Sequence, residues 1–150
     1  MKQAFRPEWH WGRETEIIVK NLCIGRTLNF PCGMSQLGDV RADKDLSVKP
    51  DIQTDIRAPE FRFTKGEFET VICDPPFSFW ALDKIYSWVH GIHDLATKRL
   101  IYRAPLVNLK PPKHWDREYM IIVDPACLTL NMLHIFTNPN QALTVRDETK

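Results

Sequence analysis

The chain contains 150 residues, of which 43% are hydrophobic and 26% are charged, and its formal net charge is +1. This composition is typical of one soluble globular domain, so we predict a single domain over residues 1–150. No apolar run reaches the roughly 20 residues that cross a membrane, and the N-terminus lacks the apolar stretch of a secretory signal. The near-neutral charge argues against a protein that grips long nucleic acid by charge alone.

The cysteines are scattered through the chain, and no two of them form a Cys-x-x-Cys pair. Their spacing predicts neither a metal site nor a disulfide framework, and it favours the reducing cytoplasm. Two of them, Cys32 and Cys73, are predicted to be small core residues. The cysteines are Cys23, Cys32, Cys73 and Cys127.

The first half of the chain predicts one helix and three short strands. An aromatic arm over residues 1–12 is expected to pack on the domain or to rim a ligand site. A helix follows, because Ile17, Ile18 and Leu22 fall near one face, and Gly25 is predicted to end it. The predicted helix runs from about Glu14 to Ile24, and the strands are Thr27–Pro31, Asp39–Asp43 and Ile52–Ile56.

The second half predicts a buried strand, a long helix and three further strands. Phe68–Cys73 is an apolar run rich in β-branched residues, which indicates a buried and parallel strand. Apolar residues then recur at helical spacing over Phe79–Ala96, which predicts a helix with Ser78 as its N-cap. The remaining predicted strands are Lys98–Ala104, Glu118–Val123 and Leu130–Thr137, and residues 146–150 are predicted to be a flexible tail.

The tetrapeptide Asp74-Pro75-Pro76-Phe77 ends the buried strand abruptly, because neither proline can donate a ladder hydrogen bond. Open α/β sheets bind their ligands at such strand ends. A carboxylate and a backbone carbonyl can accept hydrogen bonds from an amino group, and an aromatic ring can stack on a flat base. The alternative is purely structural: Asp-Pro opens many turns, and Phe77 can begin the core face of the next helix.

Taken in order, these segments resemble the Rossmann-like S-adenosylmethionine (AdoMet)-dependent methyltransferases. The resemblance runs from Asn29–Gly33 through Gly38–Asp43 and Asp55 to Asp74–Phe77. The last tetrapeptide is similar to the amino-methyltransferase motif of Asp, Asn or Ser followed by Pro, Pro and an aromatic residue. That motif is the signature of DNA adenine-N6 and cytosine-N4 enzymes, and some RNA and protein enzymes have a related form. The resemblance implies an α/β fold with a mostly parallel sheet of about seven strands and, here, few helices.

Three elements would hold AdoMet, each for a separate physical reason. Gly33 lets the backbone approach the ligand closely because it lacks Cβ, and Pro31 and Ser35 lie beside it. Asp43, with Asp45 in reserve, can accept both ribose hydroxyls. The third element would bind the adenine group. The carboxylate of Asp55 would accept the adenine amino group, and Ile56 would donate its backbone N–H.

The first crossover of this sheet is unusually short. Asp43 follows Gly33 by ten positions, whereas a parallel crossover usually needs a dozen or more residues and often contains a helix. Part of the sheet is therefore expected to lack its cover, which a second copy or a partner subunit would supply. The basic loop from Lys110 to Trp115, with Arg99 and Arg103, is a candidate contact for nucleic-acid phosphate, although Trp115 can equally lie in the core.

The function expected from the resemblance is methylation of an exocyclic amino group of a nucleic-acid base, with adenine N6 in DNA as the first choice. Asp74 and Pro75 would accept the amino hydrogens, while Pro76 and Phe77 complete the catalytic loop. Two alternatives stay open. One is a non-catalytic AdoMet-binding or scaffold subunit, and the other is an enzyme that methylates an RNA or protein amine.

Overall fold

The computed structural model describes residues 11–81, 83–124 and 129–142. Most of the predicted aromatic arm and the whole predicted tail lie outside these residues. No helix in the described part has the length and apolar character needed to cross a membrane. The strands are β1 (Thr27–Asn29), β2 (Val40–Asp43), β3 (Ile52–Gln53), β4 (Phe68–Cys73), β5 (Ala96–Ala104), β6 (Asp116–Asp124) and β7 (Thr129–Thr137), and the α-helices are α1 (Arg13–Leu22), α2 (Val89–His93) and α3 (Pro139–Ala142).

The seven strands form one sheet in the order β3-β2-β1-β4-β5-β7-β6. β1 to β5 are parallel to one another, whereas β7 runs antiparallel between β5 and β6. The order reverses between β1 and β4, and at such a switch point the loops that leave the two strands diverge and open a crevice. The predicted fold class, a Rossmann-like and mostly parallel α/β sheet with few helices, is confirmed.

The sheet is covered on both faces at its centre. Successive residues of a strand point to opposite faces, so Val71 of β4 and Leu100 of β5 lie in one core layer. Ile72 and Ile101 lie in the other layer, which Trp11 and α1 cover. All of these side chains are buried. The central pair β4–β5 is therefore the rigid base from which the loops at its carboxyl edge project.

The predicted long helix over Phe79–Ala96 is wrong. The chain instead forms two 3₁₀ turns, Phe77–Trp80 and Ile85–Ser87, followed by the short helix α2. Ser78 does not cap a helix, because it lies inside the first 3₁₀ turn. Three residues of the predicted apolar face, Ile85, Val89 and Ile92, are still buried, whereas Tyr86 of the same face is exposed. Trp80 and Trp88 are buried with them.

Two local contacts account for the broken helix. The backbone N–H groups of Phe79 and Ser87 donate three residues back, to Pro76 and Lys84, as in 3₁₀ turns. In addition, the indole Nε1 of Trp88 donates to the Phe79 carbonyl at 3.0 Å. An α-helix would use that carbonyl in its own ladder, so packing of the large indole rings overrides the helical period.

Most of the strands differ from their predicted bounds by one or two residues, and β1 ends at Asn29 rather than at Pro31. Two elements, α1 and β3, differ in ways that have a structural reason or consequence. α1 begins and ends within two residues of the prediction, but Val19 is its buried residue, while Ile17 and Ile18 are exposed. β3 ends at Gln53 rather than at Ile56. It stops early because the Asp55 side chain and carbonyl accept the N–H groups of Arg57 and Ala58, which turns the chain away from the sheet.

The connection from β1 to β2 contains no helix, as its length predicted. Exposed apolar side chains nevertheless concentrate elsewhere, on the antiparallel edge strand β6 and its neighbour. Four of them that share one face of the sheet are more than half exposed: Tyr119, Ile121, Val123 and Leu130. The expected covering partner stays a prediction.

Candidate functional site

A cavity of ≈ 400 Å³ opens at the switch point between β1 and β4. Its walls come from the loops that follow the first four strands, and this volume lies in the range of small-molecule sites. Carboxylates and apolar side chains both line it. The lining residues are Phe30, Pro31, Gly33, Met34, Asp43, Lys44, Asp45, Ser47, Val48, Thr54, Asp55, Ile56, Asp74, Pro76 and Phe79.

Asp43 organises the first wall of the cavity. It ends β2 and is buried. Its Oδ2 accepts the backbone N–H of Gly33 at 2.9 Å, and its Oδ1 accepts the N–H of Asp45 at 2.9 Å. Gly33 has a φ of 50°, in the left-handed region that glycine adopts without strain. One carboxylate thus ties the loop after β1 to the loop after β2, and each oxygen keeps acceptor capacity.

Asp55 lies on the second wall and is paired with Arg57. The guanidinium Nη2 is 2.6 Å from Oδ2 of Asp55, and Nε donates to both carboxylate oxygens. These hydrogen bonds lower the pKa of Asp55 to about 2. The next residue, Ile56, is buried in the core and lines the cavity. The carboxylate is therefore ionised and held in one orientation beside an apolar surface.

The Pro-Pro corner forms the third wall. Asp74 and Pro76 line the cavity directly, Pro75 is buried, and the ring of Phe77 is 52% exposed. The Pro76 carbonyl accepts the N–H of Phe79 at 2.9 Å. Within the described part of the chain, no hydrogen bond engages the carbonyl of Pro75. Asp74 and that carbonyl are thus two acceptors on consecutive residues.

Asp74 has an unusual electrostatic environment for a site carboxylate. Its side chain is 15% exposed, and Arg103 Nη1 lies 3.6 Å from its Oδ2. Burial raises the pKa of Asp74 to about 6, and the neighbouring guanidinium opposes this rise in part. Asp74 therefore titrates close to neutral pH, whereas Asp55 stays ionised far below it.

The structure brings most of the predicted site residues to one cavity, and the three acidic residues share it. Three residues are not among its lining. Ser35 is buried in the loop after β1, where its hydroxyl accepts the N–H of Leu37 and its carbonyl accepts Arg41. Pro75 and Phe77 belong to the Pro-Pro corner but are not among the residues that line the cavity. The predicted residues that do line it are Pro31, Gly33, Asp43, Asp55, Ile56, Asp74 and Pro76.

Sequence reasoning missed several apolar lining residues. Phe30 and Val48 flank the acidic loops, and Phe79 follows the Pro-Pro corner. Phe79 had been assigned to the core face of a helix, because its spacing matches the helical period. The adjacency of Phe30 to Pro31 is a signal that could have included it in the site. No local pattern marks Arg57 or Arg103 as partners of the site carboxylates.

The predicted basic contact for nucleic acid is only partly assembled. Lys110, Lys113 and His114 are exposed, whereas Trp115 packs partly against the core, as the structural alternative held. Arg99 does not line the cavity, and it donates to the Leu22 carbonyl at the end of α1.

Several solved structures share this fold. The N-methyltransferase NodS from Bradyrhizobium japonicum WM9, in complex with S-adenosyl-L-homocysteine, superposes with a TM-score of 0.60 at 12% identity, covering 85% of this chain and 87% of NodS. Magnesium protoporphyrin IX methyltransferase (ChlM) from Synechocystis PCC 6803 with bound SAM gives 0.57 at 12% identity, over 83% and 75%.

A third example is 1,6-didemethyltoxoflavin-N1-methyltransferase from Burkholderia thailandensis, with a TM-score of 0.59 at 8% identity and coverage of 84% of this chain and 77% of that one. No protein-family model matches the sequence, and the search of curated proteins returned no match. The chain therefore has the fold of these methyltransferases.

Proposed function

We propose that this protein transfers the methyl group of AdoMet to an exocyclic amino group of a nucleic-acid base, with adenine N6 in DNA as the first candidate. The observation that carries the proposal is the shared cavity of Asp43, Asp55 and Asp74 at the β1/β4 switch point. Two of these carboxylates suit a nucleoside, and the third lies in the Pro-Pro corner. The proposal assigns the first two to the cofactor and the third to the acceptor.

The residues of the cavity fit AdoMet in chemistry and in size. Asp43 can accept ribose hydroxyls with the acceptor capacity that its two backbone bonds leave. Asp55, ionised and oriented by Arg57, can accept the adenine amino group beside the apolar side chain of Ile56. Three of the solved structures with this fold contain SAM or S-adenosylhomocysteine, which supports the same cofactor here.

The Pro-Pro corner supplies what an amine acceptor needs. Bound AdoMet would provide an electrophilic methyl group on its sulfonium. The carboxylate of Asp74 and the carbonyl of Pro75 accept the two amino hydrogens, so the nitrogen lone pair is directed away from them, toward the methyl group. As the amine becomes cationic, the Asp74 carboxylate stabilises the charge. As the nitrogen–carbon bond forms, the bond between the methyl group and sulfur would break with its electron pair left on sulfur, so that S-adenosylhomocysteine leaves as the product. The methylated amine then releases its extra proton to water.

A flat aromatic acceptor fits the corner better than an aliphatic amine. The half-exposed ring of Phe77 lies three residues from Asp74 and can stack on a base whose amino group reaches the carboxylate. Nitrogen methylation is also the activity in the names of two proteins with this fold, NodS and the toxoflavin N1-methyltransferase. A base in duplex DNA would have to be flipped out, at a cost of a few kcal/mol.

The test is a methyl-transfer assay with methyl-labelled AdoMet on duplex DNA, single-stranded DNA, total RNA and protein, followed by nucleoside analysis. For Asp74→Ala we expect a loss of at least about a hundredfold in rate, while AdoMet affinity measured by calorimetry stays close to that of the wild type. Asp94→Ala is the matched control, because Asp94 is exposed and pairs with Lys65 at 3.8 Å. Near-full activity of Asp74→Ala would contradict the assigned chemistry.

The same assay separates the remaining alternatives. Label found only in RNA or protein would replace DNA as the substrate while keeping the cofactor and the acceptor loop. AdoMet binding without transfer to any of the polymers would favour the non-catalytic scaffold subunit. A wild-type protein that does not bind AdoMet would end the proposal.

A further inference from the structure

Arg103 is the charged residue nearest to Asp74 among the described ion pairs, yet it does not line the cavity. Its position follows from the sheet register. Ile72 pairs with Ile101, and Cys73 pairs with Tyr102, so Asp74 and Arg103 continue the same alignment past the end of β4. Both side chains are about 15% exposed. The cation therefore approaches the carboxylate along the sheet, from behind the cavity wall.

Trp11 lies beneath the guanidinium. The Arg103 Cζ is 5.4 Å from the centroid of the indole ring, within the range of a cation–π contact. Trp11 is 3% exposed and belongs to the core layer that contains Ile72 and Ile101. The ring face is thus held by the core, and it restricts where the guanidinium can move. Trp11, Arg103 and Asp74 form a continuous chain of contacts from the core to the cavity.

We propose that Arg103 is a positioning residue, which keeps the Asp74 carboxylate ionised and oriented as a hydrogen-bond acceptor, and that Trp11 holds Arg103 in place. For catalysis the inference rests on the proposed role of Asp74. The physical reason is that Asp74 is buried enough to favour its neutral acid, and a protonated carboxyl loses part of its acceptor capacity. A fixed cation at 3.6 Å opposes that tendency without occupying the cavity.

The decisive experiment is a ¹³C NMR titration of carboxyl-labelled aspartate in the full chain, with the Asp74 signal assigned by Asp74→Asn. In Arg103→Met we expect Asp74 to titrate about one pH unit or more higher than in the wild type, the usual effect of losing an adjacent arginine. Arg103→Lys keeps the positive charge, so its Asp74 titration should lie close to that of the wild type. An unchanged Asp74 titration in Arg103→Met would overturn the proposal.

Arg99→Met is the matched control. Arg99 lies on the same strand and the same face as Arg103, and it is partly buried, but its guanidinium contacts Leu22 and Thr137. A general loss of packing would affect both variants, whereas the proposal predicts a titration change for Arg103→Met alone. Equal changes in the two variants would count against it.

Two further readouts keep the inference testable. If Arg103→Met does not fold, Trp11→Phe and Trp11→Leu replace it: the smaller aromatic ring should keep the Asp74 titration near that of the wild type, and leucine should raise it. Equal titrations in both would overturn the role of Trp11. If methyl transfer is observed, Arg103→Met should move the acidic limb of kcat/KM to higher pH by the same amount as the NMR titration, with AdoMet affinity unchanged. If no activity is found, the proposed function fails, but the NMR result still decides whether Arg103 controls Asp74.

Discussion

The Asp43 carboxylate lies 2.9 Å from the backbone nitrogen of Gly33, so a residue at the end of β2 holds the glycine loop that follows β1. The second oxygen of the same carboxylate holds Asp45. These bonds close one wall of the cavity across two adjacent parallel strands. The wall therefore depends on one side chain, which makes Asp43 the most informative residue for testing the cofactor site.

Replacing Asp43 with alanine should weaken both the wall and the binding of AdoMet. Two backbone N–H groups would lose a charged acceptor, so the free energy of unfolding should fall by about 1–3 kcal/mol. The dissociation constant of AdoMet, measured by calorimetry, should rise at least about tenfold. Asp51→Ala is the control: Asp51 accepts the N–H of Arg41 at 2.8 Å but does not line the cavity. The Asp51→Ala variant should lose stability but keep its affinity for AdoMet.

The ionisation of Asp74 should determine how kcat/KM falls on the acidic side of the pH profile. Its pKa is raised to about 6, so the carboxylate is protonated at lower pH and accepts fewer hydrogen bonds. We expect kcat/KM to fall about tenfold per pH unit below that value. Asp74→Asn retains one oxygen acceptor that does not titrate, so its profile from pH 5 to 8 should be flat on the acidic side, at a lower maximum. A limb that persists in Asp74→Asn would have to come from another group.

Phe77 should affect acceptor binding and leave cofactor binding unchanged. If its ring stacks on the target base, which is worth about 1–3 kcal/mol, Phe77→Ala should raise the acceptor KM about fivefold or more. Phe77→Trp should preserve the stack. Phe61→Ala is the control, since Phe61 is also an exposed phenylalanine of a 3₁₀ turn but lies outside the Pro-Pro corner. Equal effects of the two alanine variants would exclude specific stacking.

The pairing of Asp55 with Arg57 should contribute stability that depends on pH. The hydrogen bonds from Arg57 lower the pKa of Asp55 from 3.8 to about 2. The folded state therefore favours the ionised form, and its contribution is present above about pH 4 and disappears as the pH falls through 2. In thermal melts, the Tm difference between the wild type and Arg57→Ala should narrow from pH 5 to pH 2. For Arg62→Ala, at an exposed arginine nearby, the difference should not depend on pH.

Trp88 should support both the fold of the segment after β4 and the cavity. Its indole donates to the carbonyl of Phe79, a residue of the cavity wall. Trp88→Phe leaves that carbonyl without its donor, so we expect a loss of about 1–2 kcal/mol in urea unfolding together with weaker AdoMet binding. Tyr86→Phe removes a polar group from an exposed ring of the same segment. It should change neither the free energy of unfolding nor the binding of AdoMet. If both variants behave alike, the hydrogen bond is unimportant.

The sequence predicted the site best where local sterics decide the structure. Phe68–Cys73 was assigned to a strand with the observed bounds, because a β-branched apolar run between polar segments has few other conformations. The two prolines after Asp74 end that strand whatever surrounds them. The short link between Gly33 and Asp43 likewise left no room for a helix.

The same reasoning failed where large side chains choose between local conformations. The residues after Phe77 have a helical period, but the indole of Trp88 takes the Phe79 carbonyl, and the segment forms 3₁₀ turns. Ser35, predicted beside the cofactor loop, does not line the cavity, and its hydroxyl accepts the N–H of Leu37. Its role as a cofactor contact stays a prediction.

What the sequence determined by itself is the set of strands and the acidic and proline residues at their ends, because these depend on neighbours along the chain. Only the tertiary structure decided how the ends meet: the sheet order puts Asp43, Asp55 and Asp74 around one cavity. The β4–β5 register brings Arg103 to Asp74 from 29 positions away. Such contacts arise from strand pairing and core packing, which join residues that no local pattern links.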